Sequence, residues 1–439
     1  MDKKTEGLYS DVEHHKKQTE GLFPEDYRAS VSPPSSGRCM GCMEQIDEEA
    51  ELCPYCGFVK GTEAEHTLHM LPGTVLGGKY QIGKALGYGG FGVTYLGWDM
   101  ILERKVAVKE YLPSEFATRS YGQTHVTVFS GDKASQFADG RKKFVEEAKR
   151  LAKFQGESGI VRIYDAFEEN GTAYIVMEYL EGETLGEYLK REGKVEAEQA
   201  VEMLTPVIES LDAVHAEGII HRDIAPDNII LTKDGQVKLI DFGAARYATT
   251  THSRSLTVIV KPGYSAEEQY RSRGDQGPYT DVYSVGAVLY KMITGETPPD
   301  AMERRANYEG KGKDILKPIR KQVKGVPKNI QNAVYNAMNV RIEDRTPDMV
   351  NLVGELTSEE PVKRRGSRLG KIDPLTWPLW AKVVVPVGTA AALTLCILLG
   401  VGVIGPRSRL ERGVVIPDGM TYVPVSYTHL RAHETLRHL

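Results

Sequence analysis

His221-Arg222-Asp223-Ile224-Ala225-Pro226-Asp227-Asn228 runs into the apolar Ile229-Ile230-Leu231, and Asp241-Phe242-Gly243 follows. A triplet such as the last arises by chance in many chains, so its weight comes from what precedes it. Upstream, Gly87-Tyr88-Gly89-Gly90-Phe91-Gly92 has the spacing GxGxxG, weak alone because dinucleotide sites use it too. A dinucleotide loop leads from a strand into a helix, whereas the strand-forming Val93-Thr94-Tyr95 continue past Gly92. That favours a hairpin folding down over phosphates, its glycines allowing close backbone approach. Lys109 ends the apolar run Val106-Ala107-Val108, where an ammonium needs an anion partner; the plainer alternative is a lysine that snorkels to solvent. Glu147 is the candidate partner. Phe144, Ala148, Leu151 and Ala152 fall on one helix face, and Leu151 would pack inward beneath Glu147, unlike its neighbour Glu146.

The ordered set of glycine loop, Lys109, Glu147, His221-Arg222-Asp223 with Asn228, and Asp241-Phe242-Gly243 resembles the eukaryotic-type (Hanks-type) protein kinase domain of bacterial serine/threonine kinases, over residues 74–356. The resemblance implies an α+β, two-lobed kinase fold. In keeping with it, short β-branched runs such as Tyr80-Gln81-Ile82 give way beyond about Leu185 to helical segments such as Ala200 to His215 and Val282 to Ile293. It also implies ATP and Mg²⁺, transfer of a γ-phosphoryl group to Ser/Thr hydroxyls of protein substrates, and a second copy of the chain as partner for autophosphorylation. Gly87, Gly89 and Gly92 would cover the phosphates, and Lys109, paired with Glu147, would hold the α- and β-phosphates. Glu178 and Leu180, within Met177-Glu178-Tyr179-Leu180, would meet the adenine edge through their backbone. Asp223 would accept or orient the substrate hydroxyl's proton, and Asn228 and Asp241 would ligate Mg²⁺. Leu151, His221 and Phe242 would stack between the lobes. Glu268 with Arg345, and Asp281 with Gly286, match structural positions of the domain.

Three departures from the family pattern stand out. Thr94 replaces a valine against the adenine, and Glu267 replaces a proline on what is expected to be a surface turn. The third is sharper: Ala225 stands where serine/threonine kinases carry a lysine reaching the γ-phosphate. Lys261, just before Pro262, is expected to supply the missing ammonium; the alternative is a solvated loop residue. Arg222 before Asp223 suggests control by phosphorylation of the activation segment, with Thr249, Thr250, Thr251, Ser253, Ser255 and Thr257 as candidate acceptors.

The 439 residues carry 55 Lys+Arg against 60 Asp+Glu, a net charge of -5 that gives no pull toward nucleic acid. Hydrophobic residues at 41% and charged residues at 26% exclude a wholly disordered or collagen-like chain. Residues 1–36 read as a disordered tail without a signal peptide. Residues 37–60 hold Cys39-x2-Cys42 and Cys53-x2-Cys56, four of the chain's 5 cysteines. Two such turns offer the four soft ligands of a tetrahedral Zn²⁺, and the segment resembles the zinc ribbons at the starts of many bacterial signalling proteins. Two disulfides or a redox CxxC are the alternatives. A structural or docking role is expected, since four cysteines leave no open coordination position, and 61–73 reads as a linker.

Residues 111–140 form a long connection for which an extra hairpin over Tyr121–Phe129 is expected. After a basic juxtamembrane stretch, 357–382, residues 383–404 carry no charge over 22 positions, enough to cross a bilayer. Trp377 and Trp380 precede this run, and Pro386, Gly388, Gly400 and Gly402 would suit a buried core helix poorly. By the excess of basic residues before it, the catalytic part is expected in the cytoplasm of a single-pass protein of the cell membrane. Residues 405–439 would form a short extracytoplasmic stub, whose end resembles translated adapter DNA. Two other readings compete with a protein kinase: a pseudokinase or adaptor that docks partners, and a kinase for a small molecule.

Overall fold

The computed structural model describes residues 37–242, 260–271 and 274–366, all within the first of two compact units, which ends at Arg368. The expected tail 1–36, the hydroxyl cluster from Thr249 to Thr257 and the uncharged run 383–404 lie outside the described residues. Among the described residues no helix is long and apolar enough to cross a membrane.

The first lobe is a six-stranded antiparallel sheet in the order β1-β2-β3-β4-β8-β7. Its strands are β1 Val75–Leu76, β2 Tyr80–Gly89, β3 Gly92–Asp99, β4 Arg104–Tyr111, β7 Ile163–Glu169 and β8 Thr172–Glu178. Val93, Tyr95, Val106, Val108, Tyr174 and Val176 are fully buried, which is the period-2 pattern of β-branched and aromatic side chains that pack on a pleated face. Helix α1, Asp132–Leu151, lays Phe137, Phe144, Ala148 and Leu151 into this core. It begins well before the apolar face read from sequence, because Gly131 (φ 74) sets a backbone turn that frees the chain to enter the helix at Asp132. Between β4 and α1, β5 (Ala117–Thr118) pairs with β6 (Thr127–Val128). An extra hairpin is therefore present, but its strands bracket Tyr121 rather than start there.

The second lobe carries a small sheet of β9 Gly182–Thr184, β10 Ile229–Thr232 and β11 Val237–Leu239, in the order β11-β10-β9. Around it lie α2 Leu185–Glu192, α3 Ala197–Ala216, α4 Pro278–Thr294, α5 Ala301–Lys311, α6 Ile319–Gln322, α7 Lys328–Ala337 and α8 Met349–Thr357. Thr184 and Glu187 cap α2 reciprocally, so β9 passes into helix without orphaned amides. Helix α4 is buried on almost every side; a Cβ at Gly286 would lie 2.8 Å from the Ala337 Cβ, so only glycine permits this approach to α7.

Three segments differ from their sequence reading. The linker 61–73 is packed where it nears the sheet: His69 and Met70 are buried, and the Met70 N–H donates to the Tyr95 hydroxyl at 3.0 Å. The chain past α8 also stays on the lobe, where Arg365 pairs with Glu355 at 2.7 Å and Arg364 lies 4.3 Å over the Tyr335 ring. Glu267 is buried rather than on a surface turn, and is ion-paired to Arg271, whose charge offsets part of the cost of burying the carboxylate.

Candidate active site and cysteine cluster

The cleft between the two sheets is built from both lobes. Gly89 opposes Gly92 across the β2–β3 turn, so the glycine run is a hairpin and not a strand-to-helix loop. Gly92 has φ 151, and a Cβ there would meet the Glu110 carbonyl at 1.9 Å, whereas Gly87 and Gly89 have open space around them. The β3–β4 register sets Lys109 directly opposite Thr94. Lys109 Nζ donates to Asp241 Oδ1 at 2.7 Å. Glu147, half-buried beside the exposed Glu146, lines the same pocket as Lys109, Asp241, Leu151 and Phe242. The contact described for Lys109 is thus with Asp241, and Glu147 stands as the second carboxylate of that pocket. Burial pushes the Asp241 carboxyl up, but the Lys109 charge and hydrogen bond outweigh this and hold it below the ordinary carboxylate value.

The floor is the loop before β10. Asp281, fully buried in α4, accepts the His221 N–H at 2.7 Å, the Arg222 N–H at 2.8 Å and the His215 Nε2 at 2.8 Å. Burial acts to raise this carboxyl, and the His215 hydrogen bond leads the effects that keep it low. Arg222, whose amide is held this way, adopts φ 66, and Asp241 adopts φ 59; both are left-handed conformations that cost non-glycine residues about 1–3 kcal/mol each. The Asn228 amide donates to the Asp223 carbonyl at 2.7 Å, which leaves its oxygen as the acceptor available to a cation. The His221 and Phe242 rings stand 4.4 Å apart.

Two more groups meet here. Ala225 is buried, and Lys261 Nζ lies 3.4 Å from Asp223 Oδ1, two residues before Ala225. Arg345 donates to both Glu268 oxygens, at 2.6 and 3.1 Å, in a pair closed to solvent. At the hinge-like segment the Glu178 N–H is engaged with the Arg162 carbonyl at 2.9 Å. Its carboxylate accepts from the buried Lys238 Nζ at 3.0 and 2.8 Å, a partner in β11 that no local pattern announces.

The four cysteines form a separate site. Their sulfurs all lie within 4.8 Å of one another, with Cys39–Cys56 at 3.6 Å and Cys42–Cys53 at 3.7 Å. Disulfide sulfurs sit about 2.05 Å apart, whereas four thiolates about 2.3 Å from a tetrahedral ion stand about 3.8 Å from each other. The cluster therefore fits a four-thiolate metal, and not a pair of disulfides.

A sheet lobe and a helical lobe enclosing a lysine, two acids and an asparagine define a nucleotide phosphotransferase cleft. Residues 80–370 match the family model described as protein kinase domain. The chain belongs to the protein kinase family. It is 31% identical over 286 residues to a probable serine/threonine-protein kinase of Clostridium acetobutylicum, covering 65% of this chain and 40% of that protein. To the serine/threonine-protein kinase PrkC of Bacillus subtilis it is 32% identical over 270 residues, covering 61% and 38%. A solved structure, the PpkA-294 apo form, aligns with a TM-score of 0.58 at 30% identity, over 66% of this chain and 99% of that one. The chain spans about two fifths of the length of these two curated relatives.

Proposed function

We propose that this chain is an ATP-dependent serine/threonine protein kinase, anchored in the cell membrane by residues 383–404 with its catalytic domain in the cytoplasm. The observation that carries the activity is that Lys109 and Asp241 are paired in one pocket, while Asn228 is tied to Asp223 and Lys261 reaches the same Asp223. Glu178 and Leu180 would hold the adenine edge through backbone groups, and Gly87, Gly89 and Gly92 would cover the phosphates. Mg²⁺, for which Asp241 and Asn228 supply hard oxygen donors, would neutralise charge between the β- and γ-phosphates. Lys109, with Glu147 in the same pocket, would grip the α- and β-phosphates. Asp223 would orient the acceptor hydroxyl and take its proton as the oxygen–phosphorus bond forms and ADP departs. With Ala225 unable to reach a phosphate, Lys261 would supply the cation at the transferring group; its 3.4 Å approach to Asp223 supports this reading.

The cysteine cluster would hold zinc in a structural role, supported by sulfur spacings that match a tetrahedral ion. The uncharged run and the basic residues before it support the anchor. The hydroxyls between Thr249 and Thr257 are the proposed sites of autophosphorylation by a second copy.

Incubating the chain with γ-labelled ATP, Mg²⁺ and a generic protein substrate tests the activity. Wild type should transfer label and Asp223→Ala should abolish transfer. Lys261→Ala should lower turnover about 10²–10³-fold, the worth of one preorganised transition-state contact. Unchanged turnover in Lys261→Ala would refute the lysine exchange. Binding of ATP without any transfer by wild type would favour the docking-only alternative, to which Ala225 lends some weight.

A further inference from the structure

The knuckle formed by Cys39 and Cys42 is seated on the strand that leads into the glycine hairpin. The β2–β3 ladder shifts register between Ile82 and Ala85, and the Lys84 N–H donates to the Met40 carbonyl at 2.8 Å. Met40 lies between the two cysteines. Gly83 makes the approach possible: a Cβ there would stand 2.3 Å from the Met40 oxygen and 2.5 Å from the Met43 Cε. Met43 is fully buried in this contact region, and the Arg38 guanidinium lies 3.5 Å over the Trp98 ring of β3. A second tie runs to the hinge. Lys105 Nζ donates to Glu44 Oε1 at 2.7 Å and to Glu181 Oε1 at 2.9 Å, and Glu181 directly follows Leu180.

We infer that the cysteine cluster is a brace of the nucleotide cleft: filled with metal, it holds β2 at Lys84, three residues before Gly87, and through Glu44 and Lys105 it holds the hinge, so that metal occupancy raises affinity for ATP. The inference rests on the kinase and zinc readings above. Segment 37–60 has too few apolar residues to fold without its ion, so loss of metal frees the Met40 carbonyl and Glu44 together. A cleft whose two walls are already fixed binds its ligand with less ordering cost. Glu44 and Lys105 touch no nucleotide and act as positioning residues. Glu44 and Glu181 are nearly half exposed, so the ionic tie contributes less than the backbone and packing contacts.

The test uses the full chain purified with zinc, metal content measured by mass spectrometry, and a non-hydrolysable ATP analogue with Mg²⁺ as ligand. A zinc-selective chelator should weaken analogue binding about tenfold, within the usual range of coupling between sites. The Lys84 amide should then lose hydrogen-exchange protection while Val285 in α4 keeps its own. With zinc bound, Glu44→Gln and Lys105→Met should each raise KM for ATP about threefold with kcat unchanged, and Lys105→Arg should restore it. Zinc removal that exposes Lys84 yet leaves affinity unchanged overturns the brace, as does an unchanged KM in Glu44→Gln. Absence of bound zinc, or of analogue binding by wild type, overturns it as well, and the metal assay and the titration tell these two failures apart.

Discussion

Two buried carboxylates organise the two lobes, and they do so in opposite ways. Asp281 in α4 spends its oxygens on the His221 and Arg222 backbone amides and on His215. Glu110 in β4, next to Lys109, is equally closed to solvent but is met by side chains: Arg119, the Tyr174 hydroxyl at 3.0 Å and the Tyr95 hydroxyl at 3.2 Å. Arg119 also donates to the Leu68 and Thr124 carbonyls, at 2.8 and 3.2 Å. The Asp281 site fixes the shape of one loop, because backbone donors cannot be exchanged for others. The Glu110 site fixes the attachment of two segments, the linker before β1 and the connection between β4 and α1, because its cation belongs to that connection. Thus the long insertion of the first lobe is a clamp on its core, and Glu110 has the same anchoring office there that Asp281 has below the cleft.

The comparison is broken most severely at Arg119. Arg119→Ala should destabilise the chain by about 3–5 kcal/mol, the usual consequence of stranding a buried charge, seen as a drop in the denaturant midpoint. The double change Glu110→Gln with Arg119→Met should recover most of that loss, since both charges go together. Asp281→Asn keeps one acceptor oxygen, so stability should fall by only about 1–3 kcal/mol. Turnover, however, should fall about 10²-fold, since Asp223 loses its placement. A variant with unaltered turnover would show that the loop shape does not depend on Asp281.

Acid sharpens the contrast further. Because the folded chain holds Asp281 below its ordinary carboxylate value, its contribution is present above the unfolded value of about 4 and is lost as pH falls below it. Stability curves of wild type and Asp281→Asn should therefore converge as pH drops through that range; parallel curves would deny the charge its role. The smallest effect belongs to Glu146, whose 3.8 Å pair with Lys142 is exposed. Glu146→Gln should leave both melting temperature and turnover unchanged, whereas Glu147→Gln should lower turnover.

Much of the site is legible in the chain because its chemistry lies in short spacings. A glycine hairpin, an Asp five residues before an Asn, and a lysine ending a strand are each contained within a few residues, where steric rules and ligand type act directly. The separation of Glu147 from Glu146 was readable for the same reason, since helical periodicity sorts adjacent side chains onto different faces. The Lys261–Asp223 contact and the Glu178–Lys238 pair were not readable from the sequence.

Residue types and their order, then, specified the lobes, the cleft and the cluster of four cysteines, because hydrophobic period and ligand spacing are local quantities. Folding alone selected the partners: Arg119 for Glu110, Met40 for the Lys84 amide, Lys105 between Glu44 and Glu181. These contacts join positions as far as 76 residues apart. Which of many compatible charges and amides meet across such distances depends on how sheets twist and helices pack, and no single stretch of the chain encodes it.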